Sequence, residues 1–144
     1  MTENSAKSSP SVSSVFDLAA LAGTFPESAD TMLLDMRLTD ETAASARLFR
    51  IYKPVPAHYH QTCDEYLQVL SGRARFLVEG RGPVELGPGQ LLFFRRNVVH
   101  GIPEVLEGPL VVFAVDTPRR HPADVTFVDP QDGTAATFIR TIPY

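Results

Sequence analysis

The sequence contains a single cysteine, Cys63, among its 144 residues. One thiol cannot form a disulfide within the chain, and the first residues carry no apolar segment of the kind that begins a secretory signal. No apolar run approaches the roughly 18–20 residues that a membrane-spanning helix requires. We therefore expect a cytoplasmic protein that has no internal disulfide and does not associate with membranes.

Positive charge is also scarce in the chain. There are 13 Lys and Arg residues against 17 Asp and Glu residues, which gives a formal net charge of −4. The basic residues are scattered, so the sequence predicts no basic surface that could neutralise the phosphates of a nucleic acid. A chain of this length buries roughly 68–70% of the surface that its unfolded form exposes, which is enough for one core.

The domain organisation follows from composition. Residues 1–14 contain six serines and few apolar side chains, so we predict a disordered tail that precedes a single domain over residues 15–144. The segment from Ser14 to Gly23 begins with a potential capping serine, continues with apolar residues at helical spacing and ends in glycine. That pattern predicts one short N-terminal helix.

Beyond Pro26, prolines and glycines divide the chain into short segments rich in Val, Ile, Phe, Tyr and Leu. Many short strands at close spacing favour an antiparallel sandwich or barrel. Within Arg73–Glu79, alternation places Ala74, Phe76 and Val78 on one face and directs the arginines toward water. The predicted strands are Thr31–Leu38, Ala46–Lys53, Glu65–Ser71, Arg73–Glu79, Pro83–Leu86, Gln90–Phe94, Leu110–Asp116, Val125–Val128 and Ala136–Ile142.

Two of the four histidines, His58 and His60, stand two positions apart just after Pro54 and Pro56. Each proline disfavours helix in the residue before it, so an extended backbone is expected here. In an extended segment, residues i and i+2 point to the same side, with about 6.5 Å between their α-carbons. Both imidazoles can then bind one ion, whereas a helix would direct them apart.

Two further residues complete a candidate metal site. Glu65 begins the next predicted strand, and His100 follows Gln90–Phe94 and its turn, where a neighbouring strand can return to the same place. Three imidazoles and a carboxylate suit Fe, Mn, Ni, Zn or Cu rather than calcium, which takes oxygen ligands. The alternative is a chance grouping of surface or core histidines.

The spacing His58-x-His60-x4-Glu65-x6-Gly72 resembles the first conserved motif of the cupin superfamily. The segment Gly87-Pro88-Gly89, an apolar strand and His100 are similar to the second cupin motif. The resemblance covers residues 46–116, which we take as the barrel core. It implies an all-β fold, an antiparallel double-stranded β-helix or jelly-roll barrel, with His58, His60, Glu65 and His100 as ligands of one divalent transition metal ion.

The sequence departs from the cupin pattern at two places. Arg95-Arg96 stands where many cupins carry a proline before the last histidine, and Glu104 replaces a frequent asparagine. Neither change affects a predicted ligand, but both alter the mouth of the barrel. The two arginines either attract an anionic ligand at the rim or form a solvated turn.

Three other residues are candidates for substrate contact. In the strand Arg47–Lys53, Phe49 shares one face with Ile51, and Arg50 shares the other with Tyr52. If Arg50 and Tyr52 point into the barrel, they could hold a substrate carboxylate or hydroxyl, although an outward orientation fits equally well. Cys63 lies inside the ligand loop, where it could be a soft donor, a redox group or a small buried side chain.

Four protein ligands on a six-coordinate ion leave two positions for water, substrate or dioxygen. Our first hypothesis is a metal-dependent cupin enzyme acting on a small oxygen-rich metabolite, as a dioxygenase or as an isomerase, lyase or cyclase. A second is a non-catalytic module that binds a sugar or an organic acid. A third is a metal-free enzyme similar to sugar epimerases, with His60 as general base beside Asp64.

The expected partner, besides a small molecule, is a second copy of the chain. A small barrel leaves sheet edges that need covering. The apolar segments Asp124–Pro130 and Thr137–Ile142 could pair with an edge of the same subunit or of a partner. Since small cupins are commonly dimers, the resemblance implies a homodimer.

Overall fold

A computed structural model describes residues 9–144, so residues 1–8 of the predicted disordered tail lie outside the described part of the chain. The described residues contain nine strands, two short α-helices and one 3-10 turn. Their bounds are α1 (Leu18–Ala22), β1 (Leu33–Asp40), β2 (Ser45–Ile51), β3 (Val55–Tyr59), β4 (Asp64–Val78), β5 (Gly82–Leu86), β6 (Leu91–Phe94), β7 (His100–Thr117), β8 (Thr126–Phe127), the 3-10 turn (Pro130–Asp132), α2 (Ala135–Phe138) and β9 (Ile139–Thr141).

All nine described strands belong to one hydrogen-bonded sheet. The main order is β5-β4-β7-β2-β1-β9, while β3 pairs with β7 and β8, and β6 pairs with β4. The pairs are antiparallel except for β1 and β9, which are parallel. The long strands β4 and β7 span both halves of the barrel. The fold is the predicted double-stranded β-helix with a short N-terminal helix.

The predicted break between the strands Glu65–Ser71 and Arg73–Glu79 is wrong, because β4 continues through Gly72. Gly72 has a φ of +81°, and a Cβ there would lie 2.6 Å from the carbonyl oxygens of Glu107 and Pro109 on β7. Pairing with β7 shifts register around this position but does not stop. The glycine therefore marks a bulge in one long strand, where a positive φ favours glycine.

Two predictions near the chain ends also need correction. Helix α1 is capped by Asp17, whose carboxylate accepts a hydrogen bond from the Ala20 amide, and Ser14 instead donates to the Val12 carbonyl. The predicted strand Ala136–Ile142 begins as α2 because Thr134 and its partner Thr137 form a capping box. Local hydrogen bonds thus decide the conformation at both ends.

The sheet separates two hydrophobic clusters. One fills the barrel and includes Leu67, Val69 and Phe76, while the other packs beneath α1 on the opposite side of β1 and β2. Leu67 and Val69 share the buried side with Glu65, whereas Tyr66 is exposed. Farther along β4, Ala74, Phe76 and Val78 are buried and the side chains of Arg73 and Arg75 are partly exposed, so the alternation predicted for Arg73–Glu79 is confirmed. No helix within residues 9–144 is long and apolar enough to cross a membrane.

Candidate metal centre

Three histidines meet inside the barrel. His58 lies on β3, directly opposite His100 at the start of β7, and His60 follows two positions along the chain. All three are buried, and one ring nitrogen from each lies within 4.8 Å of the others. The structure thus brings together the two histidines of the first motif and the histidine of the second.

Each ring is held through one of its nitrogens. The Nδ1 atom lies within hydrogen-bond distance of a backbone carbonyl oxygen, that of Pro56 for His58 (2.8 Å), Asp124 for His60 (2.6 Å) and Val98 for His100 (2.9 Å). A carbonyl only accepts, so each Nδ1 carries a proton, which leaves Nε2 as the ring nitrogen available to a metal. Metal-binding histidines are oriented in the same way.

Two of the histidines, His58 and His100, are also held in the neutral form that a metal requires. Burial lowers the pKa of His58 well below its usual range, and the neighbouring imidazoles lower it further. Burial likewise lowers the pKa of His100 to about 3, with His60 adding to the effect. Both rings are therefore neutral at physiological pH, so protons do not compete with a metal cation for their ring nitrogens.

Glu65 lies beside this group rather than within it. Its Oε1 is 3.4 Å from Nε2 of His60, and its Oε2 accepts a hydrogen bond of 2.8 Å from Arg47. Burial alone would raise the pKa of Glu65, but the interaction with His60 and the charge of Arg47 bring it below the ordinary value. The carboxylate is ionised, and one of its oxygens remains directed at the histidines.

Arg47 connects the site to the sheet. Its guanidinium donates to Asp116 from Nε (2.7 Å), to Asp35 from Nη1 (3.3 Å) and to Glu65 from Nη2. Burial would lower the pKa of Arg47, but these carboxylates raise it above its ordinary value. The sequence prediction missed this residue, although its position two before the inward-facing Phe49 on β2 was an available signal.

The histidines line a cavity of about 30 Å³. At roughly 10–15 Å³ per water on the same scale, it holds two or three small groups. Its walls are apolar, except for the histidines, Glu65, Arg47 and a second arginine, Arg120. Arg120 is 1% exposed, and its guanidinium carbon lies 5.4 Å from the ring centre of Phe138. The neighbouring His121 is exposed, so Arg120 turns inward from a segment that otherwise faces solvent.

Asp124 holds the loop between β3 and β4, and it too was missed. Its carboxylate accepts hydrogen bonds from the backbone amide of Gln61 (2.8 Å) and from the amide and hydroxyl of Thr62 (3.0 and 2.7 Å). Its carbonyl oxygen is the partner of His60. More than sixty residues separate the two segments, and no local sequence pattern indicates that they meet.

Arg50 and Tyr52, two of the candidate substrate contacts, lie outside the cavity. The guanidinium of Arg50 stacks on the Tyr52 ring at 4.8 Å, and the Tyr52 hydroxyl donates to the Pro26 carbonyl. Tyr52 packs against the cluster beneath α1, and the residues that line the cavity include neither Arg50 nor Tyr52. The outward orientation is the one that the structure adopts.

Cys63 and Asp64 also point away from the cavity. Cys63 is 1% exposed, and burial together with Asp116 and Glu65 raises the pKa of its thiol to about 12. The buried-side-chain interpretation of this cysteine is the one that fits. Asp64 accepts hydrogen bonds from the backbone and side chain of Arg96, so the carboxylate that the epimerase hypothesis placed beside His60 is engaged outside the barrel.

Comparison with known proteins agrees with this architecture. A family model described as "Cupin domain" matches residues 49–116, which contain His58, His60, Glu65 and His100. No curated protein matches the sequence significantly.

Solved structures with the same fold come from several bacteria. KdgF from Halomonas sp. superimposes with a TM-score of 0.58 at 20% identity, covering 65% of this chain and 87% of that one. The DMSP lyase DddQ from Ruegeria pomeroyi gives a TM-score of 0.55 at 23% identity, over 65% of this chain but only 47% of the lyase. The nucleoside dehydratase Pac13 from Streptomyces gives 0.52 at 15% identity, over 69% of this chain and 73% of that one. Since the fold, the two motifs and the family match coincide on the same residues, residues 49–116 of this chain form a cupin domain.

Proposed function

We propose that this cupin is a metal-dependent enzyme that acts on a small, oxygen-rich metabolite. The observation that carries the proposal is the convergence of three buried imidazoles whose Nδ1 atoms are anchored to carbonyl oxygens. His58, His60 and His100 would hold one divalent transition metal ion, with Glu65 as the adjacent carboxylate. Nitrogen donors with one oxygen fit Fe, Mn, Ni, Zn or Cu.

The protein residues have separable roles in this proposal. A bound ion supplies Lewis acidity that polarises a substrate oxygen. The histidines fix its position, Arg47 fixes the orientation of Glu65, and Asp124 fixes the loop that carries His60. The apolar walls around the histidines exclude bulk water and strengthen every charge interaction inside the cavity.

Among reaction classes, we favour a lyase, dehydratase or isomerase over a dioxygenase. Two of the structures with the same fold are a DMSP lyase and a nucleoside dehydratase, and the names of both describe eliminations. A site of the same architecture can support such a reaction without an oxidant. A non-catalytic binding module remains the second candidate, because it would use the same cavity.

The metal prediction is tested by substituting His60. We expect His60→Ala to remain folded, because the ring makes no strand-ladder hydrogen bond, and to lose most of its bound metal after growth with iron, nickel, manganese and zinc. Elemental analysis of the purified protein measures the loss. The matched control is His121→Ala, which removes an exposed histidine and should leave metal content unchanged. Full metal content in His60→Ala would show that the ligand assignment is wrong.

Turnover assays then separate the reaction classes. The metal-loaded protein is incubated with catechols, hydroxyanthranilate-like acids and keto sugars, with and without air, while an oxygen electrode records uptake. We expect turnover that does not depend on oxygen. Oxygen uptake with iron bound would favour a dioxygenase, and binding without turnover would favour the binding module.

We also propose that the protein is a cytoplasmic homodimer. Both C-terminal segments pair within their own chain, β8 with β3 and β9 with β1, and we place the dimer contact on another surface. The outer side of β4 and β6 exposes Tyr66, Leu91 and Phe93, and a second copy would cover this apolar surface. Sedimentation equilibrium at micromolar concentration should give the dimer mass, and Leu91→Glu should give the monomer. A monomeric wild-type protein would contradict the proposal.

A further inference from the structure

Arg120 is a buried cation whose guanidinium is incompletely bonded. The residue is 1% exposed, yet its Nε and Nη2 atoms have no hydrogen-bond partner within residues 9–144. Leaving charged donors buried and unbonded is unfavourable, so such a group calls for an explanation. Arg120 lines the same cavity as His58, His60 and His100, which places its free donors beside the candidate metal centre.

The nearby carboxylates do not accept hydrogen bonds from Nε or Nη2 of Arg120. Asp35, Glu65 and Asp116 are each bonded to Arg47, and their charges act on Arg120 only at longer range. The Phe138 ring covers the guanidinium at 5.4 Å and offers no hydrogen-bond acceptor in the plane of its donors. Arg120 is therefore fixed in place and charged, with two donors that the protein leaves unbonded.

The two free nitrogens have a specific geometry. In a planar guanidinium, Nε–H and Nη2–H lie on the same side and point in parallel, which matches the two oxygens of one carboxylate. We propose that Arg120 binds the carboxylate of a small organic acid, whose remaining oxygen atoms face the three histidines. This inference rests on the proposed function, since it names the substrate class of the same site.

Charge and size favour a small carboxylate. A divalent ion held by the three histidines would add two positive charges to the cavity, so an anionic ligand is favoured there. The cavity is small, about 30 Å³, and apolar apart from the histidines, Glu65 and the two arginines, so it suits the carbon chain of a small organic acid better than a phosphate, whose four oxygens would all need polar partners. We therefore expect glycolate and pyruvate to bind better than inorganic phosphate, and acetamide not to bind.

The experiment compares four proteins by isothermal titration calorimetry with acetate, glycolate, pyruvate, acetamide and inorganic phosphate. These are the wild type, Arg120→Met, Arg120→Lys and the control Arg119→Met, which removes a half-exposed arginine paired with Asp40. Each is titrated metal-free and zinc-loaded. We expect Arg120→Met to bind the carboxylates about tenfold to a hundredfold more weakly than the wild type. Arg120→Lys keeps the charge without the paired donors and should be intermediate, and Arg119→Met should match the wild type.

Stability in urea supplies a second readout. Removing an unbonded buried cation should leave the unfolding midpoint of Arg120→Met equal to or above that of the wild type without ligand. A lower midpoint would mean that the guanidinium is needed by the fold itself, and it would overturn the proposal. If Arg120→Met does not fold, the Arg120→Lys titrations decide, and affinities equal to those of the wild type would then overturn it.

The outcomes separate this inference from the proposed function. Zinc binding together with unchanged carboxylate affinity in Arg120→Met would reject the role of Arg120 and leave the metal enzyme standing. Carboxylate binding that depends on Arg120, in a protein that binds no metal, would support the role of Arg120 and reject the proposed function. No binding of any carboxylate by the wild type, or tighter binding of phosphate, would overturn the assignment of a carboxylate ligand.

Discussion

At the scale of single residues, Arg47 links stability to the metal site. Its guanidinium is buried and compensates three carboxylates, one of which is Glu65. A buried ion pair contributes little more to stability than apolar packing would, but removing one partner leaves the other charges buried without a counter-ion. The orientation of Glu65 therefore depends on a residue that would not bind the metal.

Substituting Arg47 with methionine should expose this dependence. We expect Arg47→Met to lower the free energy of unfolding by about 3–5 kcal/mol, because three buried carboxylates lose their bonded cation. Urea denaturation followed by circular dichroism measures the change. The control is Arg50→Met on the outer face of the same strand, which should cost less than about 1 kcal/mol. Equal losses in the two variants would contradict the role given to Arg47.

Which residues the sequence could reveal depends on how local their signal is. His58, His60 and Glu65 lie within eight positions, and extended geometry alone places the two histidines on one side. Arg120 and Asp124 act on groups that are remote in sequence, and neither carries a local pattern. Alternation along β2 does not show whether Arg50 and Tyr52 face into or out of the barrel. The packing of Tyr52 beneath α1 shows that they face out.

At the scale of elements, the site depends on how closely β3 approaches β7. Gly101 follows His100, and a Cβ at this position would lie 2.8 Å from the Val55 carbonyl oxygen and 3.2 Å from the Pro56 carbonyl carbon. Both neighbours are backbone atoms of β3, the strand that carries His58. A side chain at position 101 would therefore move apart the strands that carry His58 and His100.

We expect Gly101→Ala to weaken zinc binding by about tenfold or more, since small displacements of ligands from their productive geometry impair a site. Competition with a chromophoric chelator measures the affinity, and circular dichroism checks that the barrel is intact. Gly23→Ala is the control, because a Cβ there makes only an ordinary contact at 3.5 Å. Unchanged affinity in Gly101→Ala would show that β3 and β7 adjust without disturbing the histidines.

The elements that the sequence predicted well are those set by alternation and turn residues. β2, β5 and β6 lie within a residue or two of their predicted bounds. The long β4 was not recognised as continuous, because Gly72, with its positive φ, reads as a turn when its partner strand is unknown. The first half of β7 was not predicted as a strand, because its glycines and prolines are turn signals in a sequence. The start of α2 was missed because a capping box of two threonines outweighed the β-propensity of the segment.

At the scale of the whole molecule, the buried histidines make stability depend on pH. The pKa of His100 is about 3 in the folded protein and that of His58 is well below its usual range, against an ordinary value of 6.5 for both in the unfolded chain. Between these limits the unfolded chain binds more protons than the folded one, so lowering the pH favours unfolding. The lowered pKa of Glu65 acts in the same direction at more acidic pH.

We therefore expect the free energy of unfolding of the metal-free protein to be constant above pH 7 and to fall as the pH drops below 6.5. Each histidine contributes a slope of up to about 1.4 kcal/mol per pH unit. Urea titrations in EDTA between pH 8 and pH 4 measure this slope. His100→Gln should reduce the slope by the contribution of one histidine, up to about 1.4 kcal/mol per pH unit. His121→Gln, which removes an exposed ring, should leave it unchanged. Unfolding that is independent of pH over this range would mean that the histidines take up protons while the barrel stays folded, which a buried site made of neutral ligands does not permit.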